Sequence, residues 1–243
     1  MNENPNTSPE SVDETLEYSR KSMKAVQHGL GWVMAGPLLL VLLILTEILM
    51  EILPTIHVVH LAYLIPMMLM WIIPLMQLWG MWKCLKCPKR LVPYSNMLIY
   101  AAGIFYLAAF ACLWRMSSET IEHDKYIESA HEWLFPYVML CFFLSAVLWQ
   151  IFLLRLARGL NIRGLTIAAS WMLVMCLTFA AWLASVVWRL SGMGHLDAFT
   201  MMFAYGWATV GASLTYAVLY FVVHIGLMVR MGKVMKESER FHE

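Results

Sequence analysis

The sequence predicts an all-α integral membrane protein with six transmembrane helices arranged as three helical hairpins, and with both termini in the cytoplasm. Three observations lead there. Of 243 residues, 61% are hydrophobic and 14% charged, against roughly 25% charged in soluble domains, too few to cover a water-facing globule. Six apolar runs are each long enough to cross a bilayer, and the basic residues gather on one side of those runs. The net charge of +1 gives no bulk field to steer a nucleic acid or an acidic substrate, so the expected partners are the lipid bilayer and other membrane proteins, with no nucleic acid.

The chain reads as residues 1–29, a cytoplasmic tail with an amphipathic helix; residues 30–230, the six-helix transmembrane domain; and residues 231–243, a second cytoplasmic tail. The tail opens with a polar Asn/Pro/Ser-rich stretch and no basic n-region, so no cleaved signal peptide is expected. Ser8-Pro9-Glu10 forms a helix start, with Ser8 as cap and Pro9 at the first helical position. Val12, Leu16, Met23, Val26 and Leu30 then recur at helical spacing, and Glu17 and Lys21 pair across one turn on the polar side. Such a helix lies on the inner leaflet, docks a partner, or serves as a solvated lead-in to the first span.

The apolar runs fall near 30–53, 58–82, 94–115, 133–155, 165–190 and 199–229, each meeting the about 20 residues that a hydrocarbon core of about 30 Å demands. In the second, Pro66 and Pro74 free backbone carbonyls on roughly one face, as kinked helices do. Between the third and fourth, Ser117 to Glu132 predicts a short helix on the external membrane surface, capped by its Ser/Thr-rich start. The sixth exceeds a span and is expected to begin outside the bilayer or to bend near Gly206 and Gly211. Trp114-Arg115-Met116-Ser117 and Trp188-Arg189-Leu190-Ser191 end the third and fifth runs alike. That likeness fits a hairpin repeat or chance similarity between apolar segments.

Orientation follows from position. Fourteen of the 17 Lys and Arg residues flank the N-terminus, the second and fourth loops and the C-terminus; Arg115, Lys125 and Arg189 stand on the other side. The positive-inside rule puts the basic side in the cytoplasm. Trp32, Trp79, Trp82, Tyr94, Trp114, Trp133, Tyr137 and Trp188 near span ends form the expected aromatic belts.

Candidate chemistry is sparse. Glu47 and Glu51 share one face of the first span near its external end, and an intramembrane carboxylate is a functional hypothesis by default unless it reaches water. His57, His60, His131 and His195 lie on or beside the external turns. With the two carboxylates they supply the nitrogen and oxygen donors that a divalent transition metal such as zinc accepts, although no recognised ligand spacing joins them. His224, within the sixth run, reads as a polar interhelical contact rather than a haem ligand, since no second histidine faces it from another span. Cys84 and Cys87 form a Cys-x-x-Cys whose flanking lysines favour thiolates, but no thioredoxin-like context surrounds them, and two unmodified interfacial thiols is the simpler reading. No hydrolase, phosphate-loop or paired-carboxylate motif is present.

From Leu78 to Gly103 and again from Val229 to Glu243, the chain resembles a family of uncharacterised bacterial multi-pass inner-membrane proteins, a domain of unknown function. Pro93-Tyr94-Ser95-Asn96 and Gly103 stand where that family has its Pro-Phe-Ser and Asn segment and the glycine opening the next span. Val229-Arg230-Met231-Gly232 with Lys236-Glu237 is similar to its ending. The likeness covers about a sixth of the chain, the family usually has four spans, and its Leu-Arg before the glycine is absent here. The resemblance implies a bacterial inner-membrane location and no activity.

Three functions therefore stand open: a small membrane subunit or assembly and interaction factor; a transporter component or channel with an external Glu/His site; and a metal-dependent membrane enzyme or redox protein. The sequence favours the first and points away from an enzyme.

Overall fold

The computed structural model describes residues 19–39, 59–122, 127–190 and 195–240, and among them every regular element is a helix. These are α1 (19–39), α2 (Val59–Cys84), α3 (Ser95–Glu122), α4 (Ile127–Gly159), α5 (Arg163–Leu190) and α6 (His195–Arg240). Four carry segments long and apolar enough to cross a membrane: Ser95–Arg115, Tyr137–Gly159, Arg163–Trp182 and Leu214–Glu237. In water alone a backbone can choose other partners, but in hydrocarbon every N–H and C=O must be satisfied within the segment, which these uninterrupted helices do. Hydroxyls inside them are tied off in the same way: Thr166, Ser170 and Thr215 each donate to the carbonyl four residues back, at 2.8–2.9 Å.

One element differs from expectation, and the last helix keeps to the expected excess length. From Ser117 to Glu132 the described residues belong to the flanking helices rather than to a separate surface helix: α3 continues through Glu122 and α4 starts at Ile127. No glycine or proline interrupts the chain between Gly103 and Pro136, so neither helix meets a breaker as it enters this polar stretch. The last helix runs unbroken past Gly206 and Gly211 for 46 residues, about 69 Å at 1.5 Å per residue, so it extends beyond a hydrocarbon core on its length alone.

The chain divides into two compact units, residues 1–96 with 227–243 and residues 97–226. In the first, α1 turns Ser22, Met23, Val26, Leu30 and Val33 inward, all under 8% exposed. The apolar face expected of an amphipathic lead-in is thus covered by the chain itself over this stretch; Val12 and Leu16 lie outside the described residues. Covering it requires close backbone approach. A Cβ on Gly29 would stand 2.6 Å from the Gly80 carbonyl oxygen and 2.7 Å from Cys84 Sγ, and one on Gly80 would stand 2.6 Å from the Gly29 carbonyl oxygen. Only glycine at both positions lets α1 and α2 cross at this separation. On its other flank α1 meets the end of α6, where Gln27 Nε2 donates to the Met228 carbonyl at 2.9 Å.

In the second unit α4 and α5 pack against each other across a tight reversal. Ile162 N–H donates to the Ala157 carbonyl (3.2 Å) and Asn161 N–H to that of Arg158 (2.9 Å), the paired bonds of a Schellman motif. Its left-handed residue is Asn161, φ 55°, the one common alternative to glycine at that position. The core lies on the C-terminal half of α4, where Trp149, Phe152, Leu153, Leu156 and Ala157 are buried, with Met172 from α5 and Val223 from α6. Gly226 of α6 is closed over by Leu165, whose Cδ2 would lie 2.5 Å from a Cβ there.

Candidate functional site

Polar side chains inside an apolar unit are costly unless paired, so their placement is the first guide to a site. In the second unit they converge. From α4 come Trp149 and Gln150, from α5 Cys176, and from α6 Tyr216, Tyr220 and His224, which share one helix face by their i, i+4, i+8 spacing. Gln150 and His224 are 1% and 0% exposed.

His224 is satisfied at both ring nitrogens. Nδ1 lies 2.8 Å from the Tyr220 carbonyl oxygen, which can only accept, so Nδ1 carries the proton. Nε2 then presents its lone pair, and the Trp149 indole N–H donates to it at 3.4 Å. The imidazole is therefore neutral, and the nitrogen that a metal or haem would need is engaged by an indole from another helix. The sequence reading of His224 as an interhelical contact agrees with this geometry. Ring stacking reinforces it: Trp149 and His224 lie 6.3 Å apart at 23°, and Tyr220 packs on the imidazole at 4.0 Å.

Gln150 Nε2 donates to the Tyr216 hydroxyl, while its Oε1 is enclosed with no hydrogen-bond partner. Cys176 stands within interaction distance of both Gln150 and Tyr216. Tyr106 of α3 meets Phe142 of α4 edge to face, centroids 5.6 Å apart. No member of the cluster is set up as an activated nucleophile, since the one base, His224, has its lone pair on an indole rather than on a hydroxyl or thiol.

The first unit holds a second group at the basic end of α2. Cys84 Sγ donates to the Val26 carbonyl at 3.8 Å, and Cys84 and Cys87 are both free and buried. Burial, and secondarily the neighbouring Cys87, holds the Cys84 thiol well above the ordinary range; burial pushes the Cys87 thiol up to about 12. The lysines were expected to favour thiolates, but desolvation prevails over them. Lys83 Nζ instead lies over the Trp79 ring, 4.9 Å from its centroid. The pair is thus two buried, protonated thiols rather than reactive thiolates.

Of the donors expected on the external side, Glu47, Glu51 and His57 lie outside the described residues. His60 is placed on α2, His131 on α4 and His195 at the first position of α6, by backbone alone. Among the described residues no group of three His, Cys, Asp or Glu side chains could hold a metal ion.

Sequence reasoning passed over Gln150 and the Gly29–Gly80 crossing. Gln150 had a legible signal, an amide alone in the apolar run 133–155. The glycines had none, because spacing along one helix does not say which glycine of another it will meet. Comparison with protein-family models, with curated proteins and with solved structures finds no match to this chain.

Proposed function

We propose that this chain is a six-span protein of the bacterial inner membrane, both termini cytoplasmic, that acts as a small membrane subunit or assembly factor by binding other membrane proteins. One observation carries the reading most: the buried imidazole of the second unit spends both nitrogens on its own neighbours, while large apolar side chains face outward. A polar group arranged for transport or catalysis needs a free valence toward its substrate; His224 has both of its valences committed. Outward on α5, Ile167, Trp171 and Val174 are 47–59% exposed along one face, a surface suited to lipid or to the helix of another protein. Trp32, Trp79, Trp82, Tyr94, Trp114 and Tyr137 are exposed as well, as an interfacial belt requires.

The topology rests on the distribution of Lys and Arg and on the apolar runs, and the bacterial location on the family resemblance. The covered face of α1 narrows the reading: over residues 22–33 this face is already occupied within its own unit, so partner contact falls to the exposed faces of the spans. Purification of the full chain in mild detergent tests it. A stoichiometric membrane-protein partner, lost on charging the α5 face with Trp171→Arg or Val174→Arg, is expected. A homogeneous monomer that moves a solute across liposomes would overturn it.

A further inference from the structure

The turn joining α2 to α3 is built as a fixed cationic platform. Successive backbone bonds close it: Leu85 N–H to Trp82 O (3.1 Å), Cys87 N–H to Cys84 O (3.0 Å), Leu91 N–H to Pro88 O (2.9 Å) and Ser95 N–H to Val92 O (3.1 Å). Cys84, Cys87, Val92 and Ser95 are turned inward, none more than 4% exposed. With those positions pinned, Lys86, Lys89 and Arg90 are left exposed, and Trp82 (66%) and Tyr94 (74%) stand out beside them. Tyr94 holds φ 62°, a conformation a bulky residue takes only where its surroundings impose it.

Among the described residues no carboxylate pairs with these three cations. Residues 52–118 contain no aspartate or glutamate, and Glu237, from the end of α6 in this unit, pairs with Arg230 at 3.8 Å. Lys83, the fourth cation of the segment, is held over Trp79. The combination differs from the other basic turn, where Arg158 and Arg163 are exposed but no aromatic residue lies between 150 and 170 except the buried Phe152.

We infer that the turn of residues 82–94 is a binding site for the phosphate-bearing headgroup of an anionic phospholipid, with Lys86, Lys89 and Arg90 as the charge contacts and Trp82 and Tyr94 as flanking interfacial anchors. Charge complementarity selects the ligand. Indole and phenol rings with one apolar side and one polar tip settle at headgroup depth, and each cation adjacent to an anionic surface adds attraction. Because the backbone is already closed, little ordering is lost on binding. The leaflet that supplies the lipid depends on the proposed topology; the preference for anionic over zwitterionic headgroups does not.

The test uses the purified full-length protein in non-ionic detergent with equal phosphatidylglycerol and phosphatidylcholine, and counts retained lipids by native mass spectrometry. Wild type should enrich phosphatidylglycerol about tenfold or more, from three surface cations. The Lys86→Gln/Lys89→Gln/Arg90→Gln variant should fall toward no preference, with its thermal unfolding profile preserved. An Arg158→Gln/Arg163→Gln variant, equal in kind of charge removed, should keep the preference. No preference in wild type, an unchanged triple variant, or equal loss in the control would overturn the site. So would loss of an acidic protein partner, rather than of lipid, from the triple variant. Cysteine accessibility at position 90 reports the topology separately, so a wrong leaflet and an absent site give different results.

Discussion

The two compact units solve the same problem by opposite means. In the first, helices are brought together by removing side chains: Gly29 and Gly80 let two backbones touch, and the polar contacts that follow, Gln27 to Met228 and Cys84 to Val26, end on carbonyl oxygens. In the second, helices are joined by adding them: an indole, an imidazole, an amide and a phenol bond to one another in the interior. The difference teaches where each unit is vulnerable. A backbone crossing fails when anything is inserted. A side-chain network fails when anything is taken away.

The largest effect should come from insertion in the first unit. Gly29→Val places a side chain where even a Cβ would meet the Gly80 oxygen at 2.6 Å, and a loss of about 1–3 kcal/mol is expected for such overpacking. Gly103→Ala, whose Cβ would meet nothing within 4 Å, serves as the reference and should be neutral or stabilising. Thermal unfolding in detergent micelles reads both. Equal behaviour of the two variants would dissolve the contrast between the units.

Removal in the second unit ranks next. His224→Leu strands the Trp149 N–H in an apolar interior, at a cost of about 0.6–2 kcal/mol by the range seen for interhelical bonds in membranes. Trp149→Phe combined with His224→Leu leaves neither partner unsatisfied and should recover part of the loss. A double-mutant cycle with no coupling would mean that the two rings merely pack.

The smallest effect concerns the buried thiols. Cys87 is raised from 9.0 to about 12 in the folded protein, so folding favours its protonated form. That stability is fully present below the unfolded value near 9.0 and is lost as pH rises through about 12. Maleimide labelling of Cys84 and Cys87 at pH 8 should accordingly be slow in the native protein and fast once it is unfolded in dodecyl sulfate. Rapid native labelling would show that this unit opens.

How much was legible beforehand depends on the kind of signal. Helices were legible because an apolar run of span length has one low-energy backbone in hydrocarbon. The exposure of Trp32, Trp79, Trp82, Tyr94, Trp114 and Tyr137 was legible because amphipathic rings favour an interface over an apolar interior. The surface helix expected at Ser117 to Glu132 was misplaced, since polarity marks where a chain leaves the bilayer but not where its helix stops; without glycine or proline, α3 and α4 carried on. At the candidate site, His224 was legible as a polar residue in an apolar run, whereas its partner Trp149 was not, because a tryptophan there reads equally as packing.

The sequence by itself determined that this chain is helical and apolar enough for a membrane, and which ends of its runs are basic, because hydrophobicity and charge are local properties that act before any helix meets another. Only the tertiary structure decided that Gly29 faces Gly80, that Trp149 reaches the one open nitrogen of His224, and that the lysines beside Cys87 turn outward while its thiol is buried. Those are relations between segments far apart in the chain, fixed by which surfaces fit at contact distance, and no residue encodes its partner's position.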